Sequence, residues 1–334
     1  SYCNVLSELN LSSFDTSNVN NMEFVFLDLK KLLNLKNITN WDTSKVNSMA
    51  GLFDGCSSLT TPLPIADWNV SSLRNAANLF KGCTSIGSFF CLSKWNTSNL
   101  TNMYSTFDTC TSLKGGDDLP GWNTSQVETM KTLFFGCSGL TNLKGIGNWN
   151  VSKVTNMFSL FDGCTSLQSV DELSKWNVSN VTDMYAIFKD CKSITSLEPI
   201  RNWDVSKVCK FSYSFRGCTN LKDYKFLEKW NVSNADKFLG IFQDSGVEEI
   251  DLSSWNIKKA LLLRSVFENS TLRSANLTGW KIPSNDETYK IMFEPNDQEY
   301  KPKDGVNRYS MFYKCPNLKQ VIGVDDGLFN KYKK

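Results

Sequence analysis

The sequence predicts an α/β solenoid: a curved, right-handed stack of about eleven coils of roughly 25–27 residues, each with one short strand and one short helix. Three observations predict it. Tryptophans stand at positions 41, 68, 95, 122, 149, 176, 203, 230, 255 and 280, in constant steps that shorten by two at the last pair. Phe14 lies one full step before Trp41 and opens the same phrase, Phe14-Asp15-Thr16-Ser17. Between tryptophans, apolar residues recur at fixed places, at positions five, eight, eleven, twelve and fifteen after the Trp; in one coil they are Val154, Met157, Leu160, Phe161 and Cys164.

Each element follows from these columns, counting the Trp as position zero. The apolar spacing from five to fifteen is that of one buried face of a short helix. Serine at position three, from Ser17 to Ser233, is a candidate N-cap. Gly55, Gly82, Gly136, Gly163 and Gly217 at position fourteen, replaced elsewhere by Asp190 and Asp244, suit a left-handed stop. The rest of the coil is extended. Val247-x-x-Ile250-x-Leu252-x-x-Trp255 follows the L-x-x-L-x-L-x-x-N frame of leucine-rich repeats, with Trp where that frame has Asn. Strands stack about 4.8 Å apart and helices about 8–10 Å, a mismatch that predicts curvature with strands inside. The organisation read from the chain is an N-terminal cap at 1–13 and a solenoid at 14–280. Its repeats start at Phe14, Trp41, Trp68, Trp95, Trp122, Trp149, Trp176, Trp203, Trp230 and Trp255. An irregular last repeat with an inserted loop and a C-terminal cap occupies 281–334.

Composition narrows the function. The 334 residues include no histidine, which removes the commonest general base and metal ligand. Net charge is 36 − 34 = +2, so there is no electrostatic case for nucleic acid or an anionic membrane. No apolar run reaches the length of a membrane helix, and no export signal is read; an intracellular chain and a mature exported fragment both stay open. No cofactor motif is found, and no metal-binding C-x-x-C pair. The carboxylate pairs Asp117-Asp118, Asp171-Glu172 and Asp325-Asp326 are read as solvated charges rather than catalytic groups.

Cys56, Cys83, Cys110, Cys137, Cys164, Cys191 and Cys218 recur once per coil at position fifteen, with Cys315 in the matching place of the last coil. Equivalent side chains on stacked coils run parallel and too far apart for disulfides, so these are expected to be buried thiols. Cys3, Cys91 and Cys209 fall outside the column, and their pairing is open. The Trp column and the Phe column at position twelve are expected to form a buried aromatic spine rather than sugar-stacking platforms. Asn or Asp at position one suggests a polar ladder where the coil turns. The same column creates the N-x-S sequons at Asn69, Asn96, Asn123, Asn150, Asn177 and Asn231.

The phrase W-[DN]-[TV]-S-x-V-x-x-M-x-x-[LIV]-F-x-[GD]-C-x-[SN]-L is best seen at Trp41 to Leu59, Trp149 to Leu167 and Trp176 to Ile194. It resembles the BspA-like leucine-rich repeats, including the mycoplasma-lipoprotein type, from about Phe14 to Leu318. The resemblance implies a secreted or surface-anchored, non-enzymatic protein that adheres to proteins or glycans of host or neighbouring cells. It also implies a lipid anchor as one reading of Cys3, and it carries no catalytic residues. Most coils here depart from that family's commoner period by a two-residue insertion.

Candidate ligand-binding residues are those that escape the repeat pattern. Position nine carries Tyr104, Phe158 and Tyr185, read either as partly buried helix flanks or as an exposed stripe. The insertion in the last coil, about 283–307, carries Tyr289, Phe293 and Tyr300, read either as a cap or as a binding loop. The expected partner is a macromolecule; the alternative is a structural subunit, monomeric or associating end to end into a filament or layer.

Overall fold

The computed structural model describes residues 6–60, 63–115, 121–280 and 311–323. Two compact units divide the chain, Ser1–Asn180 and Val181–Lys334. In each, successive repeats are stacked coils joined by backbone hydrogen bonds between equivalent positions.

The predicted helix is not there. Among the described residues there is no α-helix, and positions eight to fifteen form consecutive β-turns instead. In the coil opened by Trp41, the amides of Leu52, Asp54 and Cys56 donate to the carbonyls of Met49, Gly51 and Phe53, three positions back. The amides between them leave the coil: those of Met49, Gly51, Phe53 and Gly55 donate to Asn75, Ala77, Leu79 and Lys81 of the next. A helix would need every amide for its own i−4 carbonyl. Here every second amide is spent on the neighbour.

Such turns need left-handed residues at two places, not one. Position fourteen is left-handed, as at Gly55 (φ 77°) and Asp190 (φ 55°), and so is position ten, as at Gly51 (φ 60°), Ser105 (φ 52°) and Thr132 (φ 53°). The glycine read as a helix stop is thus the second of two turn residues. The serine cap is corrected as well: Ser44, Ser125 and Ser206 donate their amides to the side chains of Asp42, Asn123 and Asp204, at 3.0 Å each. Position one, not position three, supplies the capping oxygen, in an Asx turn. A second set follows at position seven, where Asn102 and Asn156 accept from Tyr104 and Phe158, both at 2.9 Å. With no helix, the strand–helix mismatch behind the expected curvature has no basis.

Short parallel strands occur where predicted, but only in some coils. β1 (Glu8–Asn10) pairs with β2 (Asn34–Lys36) in the first unit. β3 (Glu249–Asp251), β4 (Ser274–Asn276) and β5 (Gln320–Ile322) form a three-stranded sheet in the second. In most coils between, the equivalent segment is a short 3₁₀ helix, as at Phe90–Lys94, Asp171–Lys175 and Lys225–Lys229.

The core bears out the aromatic spine. Phe26, Phe53, Phe80, Phe107, Phe134 and Phe161 stack face to face with centroids 5.4–6.2 Å apart in the first unit. Phe215, Phe242, Phe267 and Phe312 do so at 5.3–5.9 Å in the second. The tryptophans from Trp68 to Trp280 are buried. Their indole N–H groups are anchored too: Trp95 donates to the Ile65 carbonyl at 2.9 Å and Trp122 to that of Leu92 at 3.1 Å. The Leu92 carbonyl also accepts the Trp95 amide, so both lone pairs are used.

The cysteines are buried free thiols, as expected, and they have a structural task. Cys83 donates to the Phe53 carbonyl at 3.1 Å and Cys137 to that of Phe107 at 3.0 Å. The Cys56 amide bonds the same Phe53 oxygen. Burial pushes the Cys56 thiol up to about 12, and the Cys110 and Cys164 thiols well above the ordinary range, so none is a reactive nucleophile. Cys91 and Cys209 are unpaired as well; Cys3 lies outside the described residues.

Candidate binding surface

The spacing of apolar residues before each Trp decides what surface a coil presents. In β3 the apolar residues Ile250 and Leu252 are two apart, the period of a strand, so Glu249 and Asp251 must point away from the core. β4 and β5 repeat the alternation, with Ala275 and Val321 inward and Ser274, Asn276, Gln320 and Ile322 outward. At Lys225–Lys229 the buried Tyr224 and Leu227 are three apart, and a 3₁₀ turn results.

Where this 3₁₀ turn meets β3–β5, a groove of about 480 Å³ opens on the second unit. Five carboxylates, Asp223, Glu228, Glu248, Glu249 and Asp251, line it against two ammonium groups, Lys222 and Lys225. Glu248 bridges Lys222 and Arg273, both at 3.5 Å. Asp251 accepts the Ser253 amide at 2.9 Å and the Asn276 amide group at 3.0 Å. The Ser253 hydroxyl first, then its amide, holds the Asp251 carboxyl below the usual range. Ile322, 48% exposed, supplies an apolar patch at the rim. The groove is therefore a fixed, acidic, partly apolar surface. Among the described residues no three Cys, Asp or Glu side chains converge as metal ligands would.

The residues singled out from sequence lie elsewhere. Tyr104, Phe158 and Tyr185 are all half-buried. Tyr104 and Phe158 are brought together in the first unit by Lys131, whose Nζ lies 5.6 Å from one ring and 4.8 Å from the other. That is a cation–π sandwich within the stack. In the second unit Tyr185 packs edge-on against Tyr213 at 5.5 Å. Tyr289, Phe293 and Tyr300 lie outside the described residues, as do Asp117-Asp118 and Asp325-Asp326. Of the third carboxylate pair, Glu172 bonds Lys175 and Asp171 accepts from Ser169, both at 2.7 Å. Sequence reasoning missed Glu248, Glu249, Arg273 and Asn276 individually; the signal that reaches them is the alternation with a period of two in the shorter coils.

The geometry defines a stacked-coil repeat protein. The chain belongs to the family described as "Mycoplasma protein of unknown function, DUF285", whose model matches residues 2–116, 64–142, 103–198 and 192–305. No curated protein matches it. Among solved structures it is similar to a leucine-rich repeat protein from Eubacterium ventriosum (14% identity, TM-score 0.34, 67% of this chain and 58% of that one). Others are a leucine-rich cell surface protein from Faecalibacterium prausnitzii (14%, 0.36, 94% and 80%) and an internalin from Listeria monocytogenes (10%, 0.28, 89% and 82%). The chain thus spans less than two thirds of the length of the Eubacterium protein.

Proposed function

We propose that this is a non-enzymatic, extracellular or surface-anchored repeat protein that binds a macromolecule of a host or neighbouring cell, with the β3–β5 groove as the contact. The groove itself carries this reading: a row of outward side chains on a rigid parallel sheet, net acidic and rimmed by Ile322. Such a surface suits a protein segment with basic and apolar residues. The BspA-like resemblance supports the location outside the cell, and the repeat period supports about eleven coils in a right-handed stack.

Host proteins and glycans are screened with the chain, with Glu249→Lys/Asp251→Lys, and with residues 283–307 deleted. The expected result is capture of a basic protein, weakened about ten-fold or more by the double substitution and by added salt. Binding that ignores the double substitution and disappears on deletion moves the site to the terminal insertion. Binding of glycans alone overturns the choice of ligand.

A further inference from the structure

β3 is the first strand of its sheet, and the coil before it carries the 3₁₀ turn Lys225–Lys229 in place of a strand. Alternate residues of a strand turn their backbone groups to opposite sides. The Glu248 carbonyl accepts the Arg273 amide at 2.7 Å, and the Leu252 amide donates to the Asn276 carbonyl at 2.9 Å. Both bonds go to the β4 side, and the register of Ile250 with Ala275 places Ile250 there too. Glu249 and Asp251 therefore turn their N–H and C=O groups the other way, toward the 3₁₀ turn.

That turn closes on itself. The Leu227 and Trp230 amides donate to the Tyr224 and Leu227 carbonyls, both at 3.0 Å, and the Lys225 amide donates to the Asp223 side chain at 2.9 Å. No described residue is hydrogen-bonded to the N–H or C=O of Glu249 or Asp251. Both residues are exposed and line the groove, with residues 222–225 among those facing them. The open edge lies inside the stack, held at both ends. Before it the Gly246 amide reaches the Cys218 carbonyl at 3.1 Å, and after it the Trp255 indole reaches that of Leu227 at 3.1 Å.

We infer, on the reading of the groove as the binding site, that an extended segment of the partner completes the sheet by adding a strand to the free edge of β3. An extended chain supplies an N–H and a C=O at every second residue, which is what the open groups of Glu249 and Asp251 require. A helix cannot supply this pattern, because its backbone groups are already paired. Side chains of the added strand alternate between faces, and those beside Glu249 and Asp251 are basic. The backbone thus gives the contact its shape, and the carboxylates choose the sequence.

The probe is a synthetic peptide of alternating lysine and threonine, about six residues long and capped at both ends, titrated into residues 1–334 by calorimetry. Two further peptides carry N-methyl groups on the lysine amides or on the threonine amides, with charge and length unchanged. The expected result is that one methylated peptide loses about ten-fold or more in affinity while the other binds as before, since each blocked amide removes a bond to β3. Which of the two fails tells a parallel addition from an antiparallel one. This arm needs no change to the protein. In the second arm Glu249→Pro removes an edge N–H without touching the bonds to β4, and Glu249→Gln removes the charge alone. Glu249→Pro should weaken binding several-fold beyond Glu249→Gln, with an unchanged circular dichroism spectrum. Equal affinity for the two methylated peptides, equal weakening by the two substitutions, or no binding up to millimolar concentration overturns strand addition. If a captured basic protein is still lost with Glu249→Lys/Asp251→Lys, the groove survives that failure as the binding site.

Discussion

The longer and shorter coils share a core and differ on one side. At Phe134 in the first kind and Phe242 in the second, the ring lies stacked between its neighbours, at 5.6 and 5.7 Å and at 5.9 and 5.3 Å. Before the Trp they diverge. A longer coil places Val170 and Leu173 three apart and turns as a 3₁₀ helix; a shorter coil places Ile250 and Leu252 two apart and pairs as a strand. The lesson is that the aromatic column sets the stack, while apolar spacing on the opposite side sets which groups reach solvent. β2 is the exception: Leu35 and Ile38 are three apart, yet the segment pairs with β1.

The largest effect should be common to both kinds. Phe134→Ala and Phe242→Ala are each expected to cost about 3–5 kcal/mol in urea unfolding, because each removes a fully buried ring from a stack. A markedly smaller loss at either position would break the claim of one shared core. The next effect should separate the two kinds. Ala275→Pro in β4 is expected to cost about 3 kcal/mol or more, since β4 is paired on both sides. Gly145→Pro is expected to stay within about 1 kcal/mol of wild type, because the matching position in the 3₁₀ helix Glu198–Ile200 already holds Pro199. Equal losses would mean that the inner segments are interchangeable.

The smallest effects are in pH dependence, with opposite signs. Burial raises the Asp108 carboxyl, partly offset by Lys81, so its favourable share is present below the unfolded pKa and lost as pH rises through the folded one. Asp108→Asn should therefore gain on wild type as pH rises above the ordinary aspartate value of about 3.9. Asp251 is lowered, so its share is present above the unfolded pKa and lost as pH falls through the folded one. The deficit of Asp251→Asn should close as pH falls below about 4. Melting curves across pH read both, and slopes of the same sign would contradict the assignments.

Periodicity made the stack, the spine and the thiol column legible, because identical positions in stacked coils meet identical surroundings. It misjudged the turns, since apolar residues at five, eight, eleven and fifteen fit a helical face and a chain of three-residue turns alike. The distinguishing signals were local: Asn102 and Asn156 at position seven, and Gly51, Asn78 and Gly240 at position ten, are turn formers where a helix wants none. Glu249 and Asp251 were within reach of the alternation in one coil; Arg273 and its bridge to Glu248 join two coils, and no single repeat announces that.

The forward direction of the turn bonds also bears on synthesis. A chain leaves the ribosome from its N-terminus, so within each unit a coil emerges with amides aimed at a coil not yet made. The newest coil is a surface of waiting donors until its successor supplies carbonyls. Growth of the fold can therefore keep step with translation, each coil acting as the mould for the next.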